Sequence, residues 1–455
     1  MEKHEICKLI IQKIKQYLSS SDCLEAHREK NHFIRKRKLS MPHLVTYLFY
    51  TTKASMYQNL SSIRDDLLPS CFPEVSKQAV SKARQFINPS LFRDLFTLSV
   101  DIFYSNIKKR KLWHGYHIFA IDGSKIEVPN SPSNFDFFGE MFTYPHKDRK
   151  FSSGLASIVY DVLDDYIVHA SLQKYLGSER AAAREHMKAL ETLNIFEKSV
   201  IIFDRGYYSE DMFRFCASNG YLCLMRLRDQ FKMVRSCHGD STAVLPGNPK
   251  IGTKDISIRI LEMILSDGSR EYLGTNIFDK SLTVDMFREL YFLRWPVESK
   301  YMELKVKFLL EEYSGKTKTA VFQEFYINLL MSNLTSLIKN KVDDDIDEHM
   351  TTTGKYRYQA NRAYIIGRLK KAIPKILCNI LPTEYLDQIV SDAFKVRSQI
   401  VPSRKFRRKN RKLVCRKHFP NLKPVNRYSV NKDSSGLIQL RSVCYARIQE
   451  KTSLP

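Results

Sequence analysis

Residues 117–128 read His-Ile-Phe-Ala-Ile-Asp-Gly-Ser-Lys-Ile-Glu-Val. An apolar run, Ile118–Ile121, passes into alternation at a period of two, which predicts a β-strand carrying Asp122 at its middle. A carboxylate in such a strand has a high desolvation cost unless something cationic neutralises it. Gly123 beside it admits the close approach of another backbone or of a substrate. Taken alone, Asp122 fits a functional acid and a structural aspartate bonded to a nearby loop equally well.

Working outward, Ser153–Tyr160 and Tyr166–Lys174 predict two more strands, joined by the acidic turn Asp161–Asp165. Ser178 then caps a helix over Glu179–Leu193, and Ser199–Phe203 is a short apolar strand of the kind buried on both faces. Ser209–Ser218 predicts a helix and Tyr221–Leu227 a strand. Three strands in a meander followed by helix, strand, helix, strand make an α/β fold with a mixed sheet flanked by helices. Asp204 directly follows Ser199–Phe203, 82 residues after Asp122. The carboxyl end of a buried strand is where open α/β sheets place their ligands.

Residues 230–283 interrupt this order with alternating segments, Ile256–Ile264 and Tyr272–Ile277, and turn signals such as Asp267-Gly268, so a β-rich insertion is expected there. Helical periodicity resumes at Thr283 and runs to about Leu310, with Pro296 kinking or restarting it. A further helix covers Ala320–Ile338. At 3.6 residues per turn, Tyr291, Arg294, Glu298 and Lys305 fall at about 0°, 300°, 340° and 320°. One narrow stripe of Tyr, Arg, Glu and Lys is a poor core face and a good phosphate-and-metal face; a charged solvated stripe has the same pattern.

The flanks are helical. Ser40 caps a helix from Met41 behind the basic run Phe33–Leu39, and Ser76 caps Lys77–Ile87. The latter should expose Lys77, Gln78, Ser81, Lys82 and Arg84, a face suited to a DNA major groove and equally to bulk solvent. Between Arg404 and Lys417, nine of fourteen residues are Lys or Arg and none is acidic. Arg404, Arg407, Arg408, Lys409 and Arg411 are therefore expected in a phosphate-contacting arm. The expected division is a helical N-terminal DNA-binding domain (1–110), a catalytic core (111–229 and 284–340), the insertion (230–283) and a basic helical C-terminal region (341–455).

The charge balance agrees. Lys and Arg total 73 against 49 Asp and Glu, a formal +24, which points to a polyanion such as nucleic acid. Nine cysteines without a CxxC pair argue against a disulfide framework or a zinc site. No signal peptide or membrane-length apolar run is visible, so a soluble cytoplasmic, nucleoid-associated protein with no membrane partner is expected.

The segments Asp122-Gly-Ser124 and Asp204-Arg-Gly-Tyr207, with the Tyr291, Arg294, Glu298 and Lys305 spacing, resemble the IS4-family DDE transposases, over at least residues 33–340. That resemblance implies a ribonuclease-H-like core on which Asp122, Asp204 and Glu298 are the catalytic, metal-binding triad for Mg²⁺ or Mn²⁺, two ions per site. It implies that Tyr291, Arg294 and Lys305 contact the element's end. It also implies double-stranded DNA partners, namely terminal inverted repeats and a target, held in a homodimeric synaptic complex. The competing readings are a stand-alone nuclease on the same core, a non-catalytic DNA-binding relic, and an RNA-binding protein.

Overall fold

The computed structural model describes residues 1–401 apart from residues 36, 53, 70, 143–149, 194–197, 266–267 and 350–355. Arg404, Arg407, Arg408, Lys409 and Arg411 lie outside the described residues.

Six helices come first: α1 (Lys3–Leu18), α2 (Ser21–His27), α3 (Met41–Tyr50), α4 (Met56–Asp66), α5 (Lys77–Arg84) and α6 (Ser90–Asn106). Ser40, Ser55 and Ser76 each accept a hydrogen bond from the third residue onward, satisfying first-turn N–H groups that otherwise lack partners. The chain continues through β1 (His117–Val128), α7 (Pro132–Phe138), β2 (Met141–Phe142), β3 (Lys150–Asp161), β4 (Tyr166–Lys174), α8 (Glu179–Glu191), β5 (Ser199–Phe203), α9 (Glu210–Ser218) and β6 (Leu222–Leu227). Next come α10 (Lys232–Arg235), β7 (Asp240–Leu245), β8 (Ile256–Ile264), β9 (Arg270–Thr275), α11 (Val284–Phe292), α12 (Trp295–Val306) and α13 (Lys318–His349). The last described elements are β10 (Arg357–Gln359), α14 (Arg362–Leu377), α15 (Tyr385–Lys395) and β11 (Ser398–Ile400).

One mixed, mostly antiparallel sheet organises the middle of the chain. Its order is β2-β3-β1-β5-β6-β9-β8-β7, with β4 also on β3. β1, β3 and β4 form the antiparallel meander, while β5 lies parallel to β1 and β6 parallel to β5. The insertion is not a separate β unit: β9 pairs antiparallel with β6, and β8 and β7 follow. The physical reason is the free edge that β6 would otherwise expose as a row of unpaired backbone groups.

The N-terminal helices share a core with the C-terminal ones. α1 packs on α6, α13 and α15, and α3 on α14. One apolar cluster runs from Ile6 and Ile10 through Leu334 to Ile365 and Ile389. Ion pairs Lys3–Asp344 and Lys8–Asp387, both 2.7 Å, close the seam. The expected boundary at 340 falls inside α13, a 32-residue helix buried on several sides. A second cluster, with Ile118, Val200, Ile202 and Leu224 against Phe287, Leu290 and Tyr291, fixes α11 on the sheet. Among the described residues no helix is long and apolar enough to cross a membrane, and the seven described cysteines are free.

Candidate active site

β1 and β5 run parallel with Ile121 beside Phe203. The next residue on each strand is an aspartate, so Asp122 and Asp204 follow one another across neighbouring strands, which lie about 4.8 Å apart. Both are half-buried.

α12 packs on β1 and brings the glutamate. The Tyr301 hydroxyl donates to the backbone carbonyls of Asp122 (2.9 Å) and Ala156 (3.0 Å), stitching the helix to β1 and β3. Lys300, 3% exposed, pairs with Asp165 at 2.6 Å, which pins the helix to the β3–β4 turn. Burial alone would raise the Asp165 carboxyl, but Lys300, Arg362 and Lys339 together hold it well below the usual range. Glu298 sits one turn before Tyr301, near enough to Asp122 to perturb it.

Pro296 restarts the helix. α11 ends at Phe292 and α12 begins at Trp295, placing the proline in a first turn, where its missing N–H removes no hydrogen bond. Arg294 at the junction keeps helical dihedrals (φ −70°, ψ −34°). Its Nη1 donates to Glu298 Oε1 at 2.8 Å. The Tyr291 hydroxyl makes a long bond, 3.5 Å, to Asp204 Oδ1.

Burial pushes the Asp122 carboxyl up to about 7. The Gly123 N–H, donating at 2.9 Å, and the Arg294 guanidinium pull it down, while the charges of Glu298 and Asp204 push it further up. Three carboxylates thus share one guanidinium. They do not form a closed single-ion cage: among the described residues, the only trio of such ligands within 4.8 Å of one another is His4, Glu5 and Asp387. Lys8 already pairs with that trio's Glu5 and Asp387.

The residues expected to touch DNA divide. Tyr291 and Arg294 are buried (6% and 4% exposed) and turn their polar groups to Asp204 and Glu298. Lys305 donates to the Lys125 carbonyl at 2.7 Å and pairs with Glu311 at 3.5 Å. Lys77 and Lys82 are exposed on α5. Arg84 is a correction: only 1% exposed, it bonds Gln323, Ser314 and the Ala320 carbonyl, and pairs with Glu324 at 2.9 Å. A guanidinium enclosed by its own hydrogen bonds cannot face a groove.

Sequence reading gave no site role to three neighbours of this site. Tyr301 is one. Tyr207 is buried, and its hydroxyl lies in the fields of Asp122, Glu179 and Asp204. Glu179, in the first turn of α8, lies against Gly123. Its only local signal was its place after the Ser178 cap, where acids are common because they suit the helix dipole.

Residues 113–334 match the family described as "Transposase DDE domain". The chain is similar to "Putative transposase InsZ" of Escherichia coli (strain K12), 22% identical over 138 residues, or 30% of this chain. That match spans 44% of the relative's length, less than half of it. Among solved structures, a match described as "Cryo-EM structure of piggyBac transposase synaptic complex with hairpin DNA" has a TM-score of 0.44 at 11% identity, covering 86% of this chain and 85% of that one. The segment 113–334, which carries Asp122, Asp204 and Glu298, is thus similar to the DDE domain of transposases.

Proposed function

We propose that this chain is a cut-and-paste DNA transposase of the IS4 family, with Asp122, Asp204 and Glu298 as its metal-binding triad on a ribonuclease-H-like core. The observation that carries the reading is the half-buried Asp122 carboxyl, raised to about 7 by desolvation and by the charges of two further acids, with one guanidinium among them. The donor set is all carboxylate oxygen, which suits hard ions such as Mg²⁺ or Mn²⁺. A cation there would relieve both the burial and the repulsion. Two such ions at the site would be held among Asp122, Asp204 and Glu298. The meander β1, β3, β4 followed by parallel β5 and β6 supports the ribonuclease-H-like reading.

When bound, such ions make a water or a 3′-hydroxyl nucleophilic and stabilise the leaving oxygen of a phosphodiester. The chain's own residues position and shield. β1 carries Asp122 and β5 ends one residue before Asp204, so the paired strands bring the two aspartates to neighbouring positions. Tyr301 locks α12 onto the Asp122 carbonyl. Arg294 orients Glu298 and lowers the cost of gathering acids at one point. The net charge of +24 supports a polyanion such as duplex DNA as partner; terminal repeats and a target as substrates, and a homodimer pairing two ends, complete the proposal.

The test is cleavage of duplex DNA carrying the element's terminal repeats, by the full chain with Mg²⁺ or Mn²⁺. Asp122→Asn, Asp204→Asn and Glu298→Gln should each abolish cutting and leave gel-shift binding within about twofold, since phosphate contacts supply most non-specific affinity. Undiminished cutting by any of the three ends the triad assignment. A wild type that binds and never cuts is a non-catalytic relic, and one that cuts without joining is a nuclease.

A further inference from the structure

Glu179 lays its side chain over Gly123, the residue next to Asp122. A Cβ on Gly123 would lie 3.2 Å from Glu179 Oε1 and 3.3 Å from its Cδ and Cγ. Glu179 is half-buried, and among the described residues it has neither a hydrogen bond nor an ion pair. A partly buried carboxylate with no partner is unfavourable. The helix dipole accounts for an acid in the first turn of α8; it does not account for the placement of that acid over the strand that carries Asp122.

A second observation points to a ligand. Tyr207 follows Asp204 by three residues and is 2% exposed, and its hydroxyl is buried without a hydrogen-bond partner among the described residues. The charges that act on that hydroxyl are, in order, Asp122, Glu179 and Asp204, with Arg294 opposing them. The Tyr301 hydroxyl lies in the fields of Asp122 and Glu179 as well. An orphaned phenol among acids is costly unless something supplies it a partner. Mg²⁺ characteristically keeps several of its waters, any of which can accept or donate such a bond.

We infer that Glu179 is a fourth carboxylate of the cation site, binding a divalent ion together with Asp122, and that the Tyr207 hydroxyl bonds to that ion's water. This rests on the reading of Asp122, Asp204 and Glu298 as cation ligands. Gly123 then has a physical role: the absence of a side chain there lets Glu179 approach β1.

The experiment is equilibrium Mn²⁺ binding to the full chain without DNA, followed by the electron paramagnetic resonance of free Mn²⁺. Asp122→Asn should remove tight binding. Glu179→Gln should weaken it about tenfold, the lower end of the loss that follows removal of a supporting ligand. Glu179→Asp, one methylene shorter, should fall between. Gly123→Ala leaves all four acids in place and crowds Glu179, so it should weaken binding in the same direction. If Glu179→Gln and Gly123→Ala bind Mn²⁺ as wild type does while Asp122→Asn does not, the fourth-ligand assignment is wrong and the triad stands. If Asp122→Asn and Asp204→Asn also bind as wild type, the triad reading falls with it.

Discussion

The Arg294 guanidinium sits 2.8 Å from Glu298 one helical turn away, and lies 4.5 Å from the centre of the Trp295 ring. Among the described residues it is the one cation paired with Glu298, and it also lowers Asp122. Arg294→Gln should therefore cost about 1–3 kcal/mol in urea unfolding, below the usual loss for a broken buried pair because Glu298 is 40% exposed. Added Mn²⁺ should restore part of that loss. A variant as stable as wild type in metal-free buffer would mean the pair is incidental.

The Tyr207 hydroxyl should make the opposite kind of variant. Tyr207→Phe removes a buried group that has no partner, so the metal-free protein should gain about 1 kcal/mol. The same change should shrink the stabilisation that Mn²⁺ confers. Thermal melts with and without Mn²⁺ read both effects, and a loss of stability without metal would contradict the orphaned state of the hydroxyl.

Asp122 sets a pH dependence whose sign follows from its raised pKa. An unfolded aspartate ionises near 3.9, whereas Asp122 in the fold keeps its proton to about 7. Between these values the native chain holds the extra proton, so the stability this group contributes is full below about pH 4 and is lost as pH rises to about 7. The metal-free stability of wild type relative to Asp122→Asn should fall by at most about 1.4 kcal/mol per pH unit across that window and stay level above it. Urea titrations at five pH values suffice. A difference that is level from pH 4 to 8 would show the carboxyl already ionised in the fold.

Arg84 and Lys82, two residues apart on α5, should separate folding from binding. Arg84→Met leaves Glu324 buried without its cation and should cost about 3–5 kcal/mol. Lys82→Ala, at an exposed position, should leave stability within about 0.5 kcal/mol. It should weaken DNA binding and lower the salt slope by about one. Normal stability for Arg84→Met would contradict its enclosed geometry.

Local patterns made the centre of the chain readable. β1, β4, β5 and β8 have the limits that alternation and apolar runs predicted, because burial on one or both faces imposes those patterns directly. Pro296 marked the restart between α11 and α12 for the same local reason. Non-local partners were not readable. Arg84 looked like one more base on an amphipathic helix, and nothing near it announced Glu324, 240 residues away. Glu179 looked like a helix-start acid, since its proximity to Gly123 arises only when α8 is laid on the sheet. Nor did the sequence announce that residues 1–110 share their core with α13, α14 and α15, since those partners lie more than 200 positions away.

That shared core has a consequence for synthesis on the ribosome. The apolar face of α1, with Ile6, Ile10 and Ile14, packs on α6 but has its other partners far downstream in α13 and α15, and Lys3 finds Asp344 341 positions downstream. At translation speeds of roughly 5–20 residues per second, α1 waits on the order of 20–70 s for the surfaces it docks against. During that interval a greasy helix is exposed on every nascent copy, which is an opening for chaperone capture. A reading frame cut short before α13 would yield a polypeptide whose leading helices keep only the cover they give one another.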